Sequence, residues 1–100
     1  MADVRGRTPN HPGTLLREIV LPAMRVSIAQ AAREMGISRQ QLHKILSGNG
    51  RVTPEMAARL GKYCGNGPQL WLNMQNAFDL WHAQHALAAE LGEIPCRAVG

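Results

Sequence analysis

Apolar residues recur at helical spacing along most of the chain, and polar residues, Gly and Pro separate the apolar segments. From Ser27 to Ser47 the pattern predicts two short helices joined by a tight turn. Ser27 and Ser38 stand where N-cap residues are expected, and Gly36 stands where a left-handed residue ends the first helix at little cost. Each helix has one apolar stripe, formed by Ile28, Ala31, Ala32 and Met35 in the first and by Leu42, Ile45 and Leu46 in the second.

The spacing around this turn is that of a helix-turn-helix unit. Ala32 lies four residues before Gly36, where crossing helices approach most closely, and Leu42 lies six residues after it. Such a unit presents its second helix to the major groove of DNA. Four polar residues of that helix lie away from the apolar stripe: Arg39, Gln40, His43 and Lys44. Arginine can read guanine and glutamine can read adenine, although an ordinary solvated helix face is the alternative interpretation.

A helix and a loop are predicted on either side of this unit. Pro12 suits a first helical turn, and Pro22 disfavours a helical Leu21, so the first helix is expected to end near Leu21. Its predicted buried stripe consists of Leu15, Leu16, Ile19 and Val20. After the unit, residues 48–51 form a loop by composition, in which free backbone amides, Asn49 and Arg51 are candidates for contacting phosphate. A plain helix-ending turn is the alternative.

Two further helices complete the chain. One begins at Thr53, as N-cap, with Pro54 and Glu55 in its first turn, and the other runs from Pro68 to about Ala89. The long helix has a first apolar face, expected to close the core, made of Leu70, Trp71, Met74, Ala77, Phe78 and Trp81. Its second, narrower apolar line consists of Leu72, Leu80, Ala83 and Leu87. Because a small core cannot cover both faces, the second line predicts a homodimer interface.

Composition and charge agree with one all-α domain that binds a polyanion. The 100 residues are 45% hydrophobic, with a formal net charge of +4. Residues 1–51 contain eight Arg or Lys against three Asp or Glu, whereas residues 52–100 contain three against four. The positive charge therefore accompanies the helix-turn-helix unit. We expect a flexible basic arm over residues 1–10, the DNA-binding and dimerising domain over 11–90, and an irregular tail over 91–100.

Other chemistry finds little support in the sequence. Cys64 and Cys96 are far apart, so neither a zinc site nor a redox pair is indicated, and neither cysteine has a motif typical of a nucleophile. His82 and His85 share a helix face but lack a third metal ligand at a known spacing. We therefore expect no enzyme activity, no metal and no cofactor. With no membrane span and no signal peptide evident, the expected location is the cytoplasm.

Four motifs between His11 and about Trp81 resemble the HigA-like addiction-module antidotes, within the phage-repressor-like helix-turn-helix group. They are H-P-G-x-L-L-R-E, S-x-x-x-A-A-x-x-x-G-I-S-R-Q, T-P-E-M-A-x-R-L and W-L-N-x-Q-x-x-x-D-L-W. The helix-turn-helix motif indicates only the larger group. The Trp-rich last motif is much narrower and carries the family resemblance.

This resemblance implies a five-helix domain that dimerises on palindromic double-stranded DNA, represses its own operon and neutralises a small mRNA-cleaving ribonuclease toxin. Some members resemble stand-alone regulators without a toxin, which is the alternative function. Carried over by position, base edges would be faced by Ser38, Arg39, Gln40, His43 and Lys44. Phosphates would be faced by Ser27, Gln30, Asn49 and Arg51.

Overall fold

A computed structural model describes residues 8–98, so residues 1–7 of the predicted arm lie outside the described residues. Within 8–98 the chain forms helices and no strand, which confirms the all-α prediction. Helix α1 (residues 12–24) consists of three consecutive segments, Pro12–Leu15, a π-helical Leu16–Val20, and Leu21–Met24. The other helices are α2 (Ile28–Met35), α3 (Arg39–Leu46), α4 (Pro54–Cys64), α5 (Pro68–Ala86) and α6 (Ala88–Glu93).

Helix α1 continues through Pro22, so the prediction that it ends near Leu21 is wrong. Leu21 keeps helical angles (φ −63°, ψ −42°), and its N–H donates to the carbonyl of Leu16, five residues back. The wider π turn relieves the clash that a proline ring makes with the preceding turn of a regular α-helix. It also shifts the helical phase. As a result Ile19, predicted to be buried, is 61% exposed, and Leu21 is buried instead.

The predicted N-caps are confirmed. The hydroxyl oxygens of Ser27, Ser38 and Thr53 accept hydrogen bonds from backbone amides three residues on, at 3.0, 3.0 and 3.2 Å. Gly36 ends α2 in the left-handed region with φ 74°, as the turn requires. Each cap stabilises its helix by about 1 kcal/mol. These local contacts fix the start of every helix from α2 to α4.

The core lies between α1, α2, α3 and α4, and the first turns of α5 close it. Its apolar side chains are Leu16, Leu21, Ala31, Ala32, Met35, Leu42, Ile45, Leu46, Val52, Met56, Ala57, Leu60 and Trp71. Trp71 is the largest fully buried side chain, and its indole N–H donates to Asn66 Oδ1 at 2.9 Å. The stripes predicted for α2 and α3 therefore face this core, and Ile28, although only half-buried, packs against it as well.

Helix α5 buries less than its sequence predicts. Of the face expected to close the core only Trp71 is fully buried, while Leu70 and Ala77 are exposed. Farther along, α5 leaves the body after packing on α4 and α1 with its first half, so that residues 82–98 are all exposed. The helix also ends earlier than predicted, because the angles at Leu87 (φ −102°, ψ 14°) separate it from α6. Helix α6 in turn extends past Leu91 to Glu93.

We expect Gly13→Ala to reduce the free energy of unfolding by about 3 kcal/mol, the upper range for overpacking a core. A Cβ at Gly13 would lie 1.9 Å from the carbonyl oxygen of Ile45, so α1 and α3 would have to separate. Urea denaturation measures the loss. The control is Gly92→Ala, where an added Cβ meets nothing within 4 Å. Equal stability of the two variants would contradict the close approach of α1 to α3.

Candidate nucleic-acid interface

Helix α3 lies at the surface with one face in the core and the other in solvent. Leu42, Ile45 and Leu46 are buried. The opposite face is exposed along its whole length and consists of Ser38, Arg39, Gln40, Gln41, His43 and Lys44. Among the described residues nothing covers this face, so the geometry that a major-groove helix needs is present. Gln41 is exposed on this face as well, although it is not among the predicted base-reading residues because the sequence pattern places it beside the apolar stripe.

The C-terminal end of α3 is held by a contact that sequence reasoning missed. Arg17 of α1 donates from Nη1 to the carbonyl oxygen of Leu46 at 2.9 Å, and from Nη2 to Glu18 at 2.8 Å. A cation at the C-terminus of a helix is favourable because the last carbonyls have no partner within the helix. Arg17 and Leu46 are 29 residues apart, so no local pattern indicates the pair.

The loop after α3 folds back onto the helix, and its backbone amides donate hydrogen bonds to carbonyl oxygens of α3. Gly48 N–H donates to Ile45 at 3.1 Å, and Asn49 and Gly50 N–H both donate to the carbonyl of Lys44, at 3.0 and 2.8 Å. The prediction that these amides are free to bind phosphate is therefore wrong. The side chains of Asn49 and Arg51 nevertheless lie at the surface beside α3.

Arg51 is joined to the long helix by a chain of hydrogen bonds. Its guanidinium Nη1 forms an ion pair with Asp79 Oδ2. The other oxygen of Asp79 accepts from Gln75 Nε2 at 2.9 Å, and Gln75 Oε1 accepts from the backbone N–H of Val52 at 2.7 Å. Gln75 is only 1% exposed. The spacing of Gln75 and Asp79 places them on one helix face, which was the available signal for this cluster.

The remaining phosphate candidates lie at the start of α2. Ser27 is exposed and caps the helix, while Gln30 donates from Nε2 to Glu34 Oε2 at 3.1 Å. Glu34 also accepts from the Tyr63 hydroxyl at 2.6 Å. This bond and the one from Gln30 lower the pKa of Glu34, while burial and the neighbouring carboxylate raise the pKa of Tyr63 to about 12. The side chain of Gln30 is thus held by α2 itself.

The predicted dimer residues divide into two groups. Leu80 is 59% exposed, Leu87 is 45% exposed, and Ala83 between them is exposed as well. Leu72 differs, because it is half-buried and packs against the monomer core. The apolar line that stays free on the projecting part of α5 therefore begins at Leu80.

His82 and His85 pack against aromatic rings. The His85 ring stacks on Trp81 with centroids 3.6 Å apart, and its Nδ1 lies 2.8 Å from the Trp81 carbonyl oxygen. The His82 ring packs on Phe78 at 4.4 Å. Over residues 8–98, no group of three or more His, Cys, Asp or Glu has the arrangement of a metal site.

This chain is similar to known helix-turn-helix regulators and antitoxins. A family model described as a helix-turn-helix domain matches residues 4–70. The HTH-type transcriptional regulator YddM of Escherichia coli K12 is 40% identical over 75% of this chain and 81% of its own length. Antitoxin HigA-1 of Vibrio cholerae is 32% identical over 84% and 79%. The structure of antitoxin GraA in complex with its operator superposes with a TM-score of 0.84 at 37% identity, covering 95% of this chain and 96% of that one.

The chain belongs to the HigA-like helix-turn-helix family. The resemblance noted in its four motifs is thereby confirmed, and this family of DNA-binding regulators and antitoxins is not an enzyme class. Within residues 8–98, no helix is both long and apolar enough to cross a bilayer.

In this HigA-like chain the histidine of the H-P-G motif is a structural residue. His11 is 6% exposed, caps α1 by accepting from Gly13 N–H on Nδ1 at 2.9 Å, and meets the Phe78 ring edge-on at 5.0 Å. Burial lowers the pKa of His11. The backbone of Gly50 and the charge of Asp79 oppose this shift, whereas Arg51 adds to it. A neutral ring with Nδ1 as acceptor fits these contacts.

We expect the free energy of unfolding to fall as the pH drops below about 6.5, the ordinary pKa of histidine. The unfolded chain binds this proton more readily than the folded one, so the contribution of His11 is complete above that pH and is lost on acidification. His11→Asn should flatten this dependence, because Asn also caps helices but does not titrate. Urea denaturation between pH 7.5 and 5.0 measures it, with His43→Asn as the control for losing a histidine. Parallel pH profiles for His11→Asn and the parent would contradict the assignment.

Proposed function

We propose that this chain is a repressor that binds the operator of its own operon through α3. This proposal rests on the exposed polar face of α3, which lies opposite the buried apolar face of the same helix. Helix α3 also lies in the basic half of the chain. A relative of the same fold whose structure contains its operator, antitoxin GraA, supports it. In this proposal residues 11–90 act as one DNA-binding and dimerising unit in the cytoplasm.

Two kinds of DNA contact are assigned to the side chains around α3. Base edges are read by Ser38, Arg39, Gln40, His43 and Lys44. Arg39 and Gln40 lie in the first turn, where recognition helices contact bases, and their side chains can bind guanine and adenine with two hydrogen bonds each. Phosphates are contacted by Ser27, Gln30, Asn49 and Arg51. These contacts fix the position of α3 but carry no sequence information.

A homodimer is proposed through the exposed apolar line of α5. Leu80 and Ala83 lie on the part of α5 that leaves the body, and Leu87 follows directly as the residue that caps its C-terminus. Exposed leucines at this spacing are typical of a surface that pairs with another helix. Two α3 helices about 34 Å apart would then read the two halves of a palindromic operator.

We also propose that the chain neutralises a companion toxin, a small ribonuclease that cleaves mRNA. The similarity to an antitoxin, HigA-1, supports this. A stand-alone regulator is the alternative, and the similarity to YddM, a transcriptional regulator by name, favours that class equally. The two functions are distinguished by the neighbouring gene. A toxin partner would be a basic protein of about 90–110 residues that arrests growth when expressed alone, and co-expression of this chain would restore growth.

The chain is proposed to have no catalytic activity of its own. Burial raises the pKa of the Cys64 thiol, which keeps it in the protonated form that is a poor nucleophile.

We expect Arg39→Ala to weaken operator binding by about 1–3 kcal/mol and to relax sequence preference at one base position of each half-site. The reason is the loss of a bidentate base contact. Titration of operator variants with single base changes measures both effects, and Arg97→Ala, which removes the same charge from the exposed tail, is the control. An unchanged preference in Arg39→Ala would contradict the base-reading role.

We expect Leu80→Asp to shift the protein from dimer to monomer, because two carboxylates would be brought into an apolar interface. Sedimentation velocity measures the mass. Ile19→Asp is the matched control, since Ile19 is equally exposed but lies on α1, away from the proposed interface. A dimer that survives Leu80→Asp and dissociates with Ile19→Asp would place the interface on α1.

A further inference from the structure

Arg51 has a fixed side chain, although it lies in a loop. Its ion pair with Asp79 is largely exposed, and exposed ion pairs contribute little to stability. Stability is therefore a weak explanation for the contact. What the contact does determine is the direction of the guanidinium group.

Asp79 is itself held in one orientation. One of its oxygens accepts from Gln75 and the other from Arg51. Gln75 is buried and binds the backbone N–H of Val52, the residue after Arg51. Backbone and side chains thus form a closed ring that joins Arg51, Asp79, Gln75 and Val52.

The guanidinium of Arg51 keeps free donors beside α3. Arginine has five N–H groups, and over residues 8–98 the structure records only the bond from Nη1 for this residue. The loop that carries it is tied to the end of α3 by the bond from Gly50 N–H to Lys44. An arginine held in this way loses less side-chain freedom when it binds a phosphate.

We propose that Asp79 is a positioning residue, which acts through Arg51 to aim that side chain at the DNA backbone. This inference rests on the proposed phosphate contact of Arg51. The competing interpretation is that Asp79 merely neutralises Arg51 and repels phosphate. The two interpretations give opposite signs when the carboxylate is removed, because a loss of positioning weakens binding whereas a loss of repulsion strengthens it.

The experiment compares Asp79→Asn, Arg51→Ala and the double variant, using a duplex that contains the promoter of this chain's own gene and a duplex of unrelated sequence. We expect Asp79→Asn to weaken promoter binding about three- to tenfold, the effect of freeing one immobilised side chain. We expect it to have no further effect in the Arg51→Ala background. Asp79→Glu, which restores the carboxylate, should recover most of the affinity. Glu90→Gln, which removes an acid from exposed α6, is the charge control.

Three outcomes would overturn the inference. Tighter binding of Asp79→Asn to both duplexes would show that Asp79 repels DNA. An equal loss with and without Arg51 would show a structural role, which a lowered melting temperature would accompany. An unchanged salt dependence of DNA binding by Arg51→Ala would show that Arg51 does not contact phosphate. This result would overturn the inference but would leave the proposed role of α3 intact.

Discussion

The buried side-chain amide of Gln75 fixes the segment on which the DNA-facing surface depends. Residues 48–52 have no regular structure of their own, yet they connect α3 to the rest of the fold. Gln75 accepts from the Val52 amide, and Asp79 pairs with Arg51. A buried backbone N–H without a partner is costly, so the contact of Gln75 with Val52 is an obligatory one. Two side chains of α5 thus hold two consecutive loop residues, Arg51 and Val52.

The orientation of α3 is a tertiary property. A helix of eight residues is too short to be stable alone in water, because nucleation is costly and few bonds repay it. Its stability comes from Leu42, Ile45 and Leu46 in the core, and its direction comes from contacts at its C-terminal end. There Gly13 meets the Ile45 backbone and Arg17 binds the Leu46 carbonyl. Helix α1, which carries no proposed base contact, is therefore what aims the helix that does.

Local sequence signals predicted the local structure, and long-range contacts escaped them. Ser27, Ser38, Thr53 and Gly36 were readable because a cap satisfies amides or carbonyls within one turn. The π turn of α1 could not be predicted from the sequence, since a proline such as Pro22 indicates the end of a helix unless the preceding turn widens. The predicted burial of Ile19 was wrong for the same reason. The ion pair of Arg51 with Asp79 spans 28 residues and depends on the packing of α5 against α4, which no periodicity specifies.

Helix α5 carries neighbouring residues of the two proposed surfaces, the DNA-binding surface and the dimer interface. Asp79, which holds Arg51, is followed directly by Leu80, the first exposed leucine of the proposed dimer line. On a helix these neighbours point about 100° apart, so one turn of α5 faces the loop on one side and presents the proposed dimer line on the other. A rigid helix transmits position along its length without any change of shape. If two copies pair through this line, the geometry of α5 bears on the spacing of their Arg51 side chains, while the contacts with α1 set the direction of each α3.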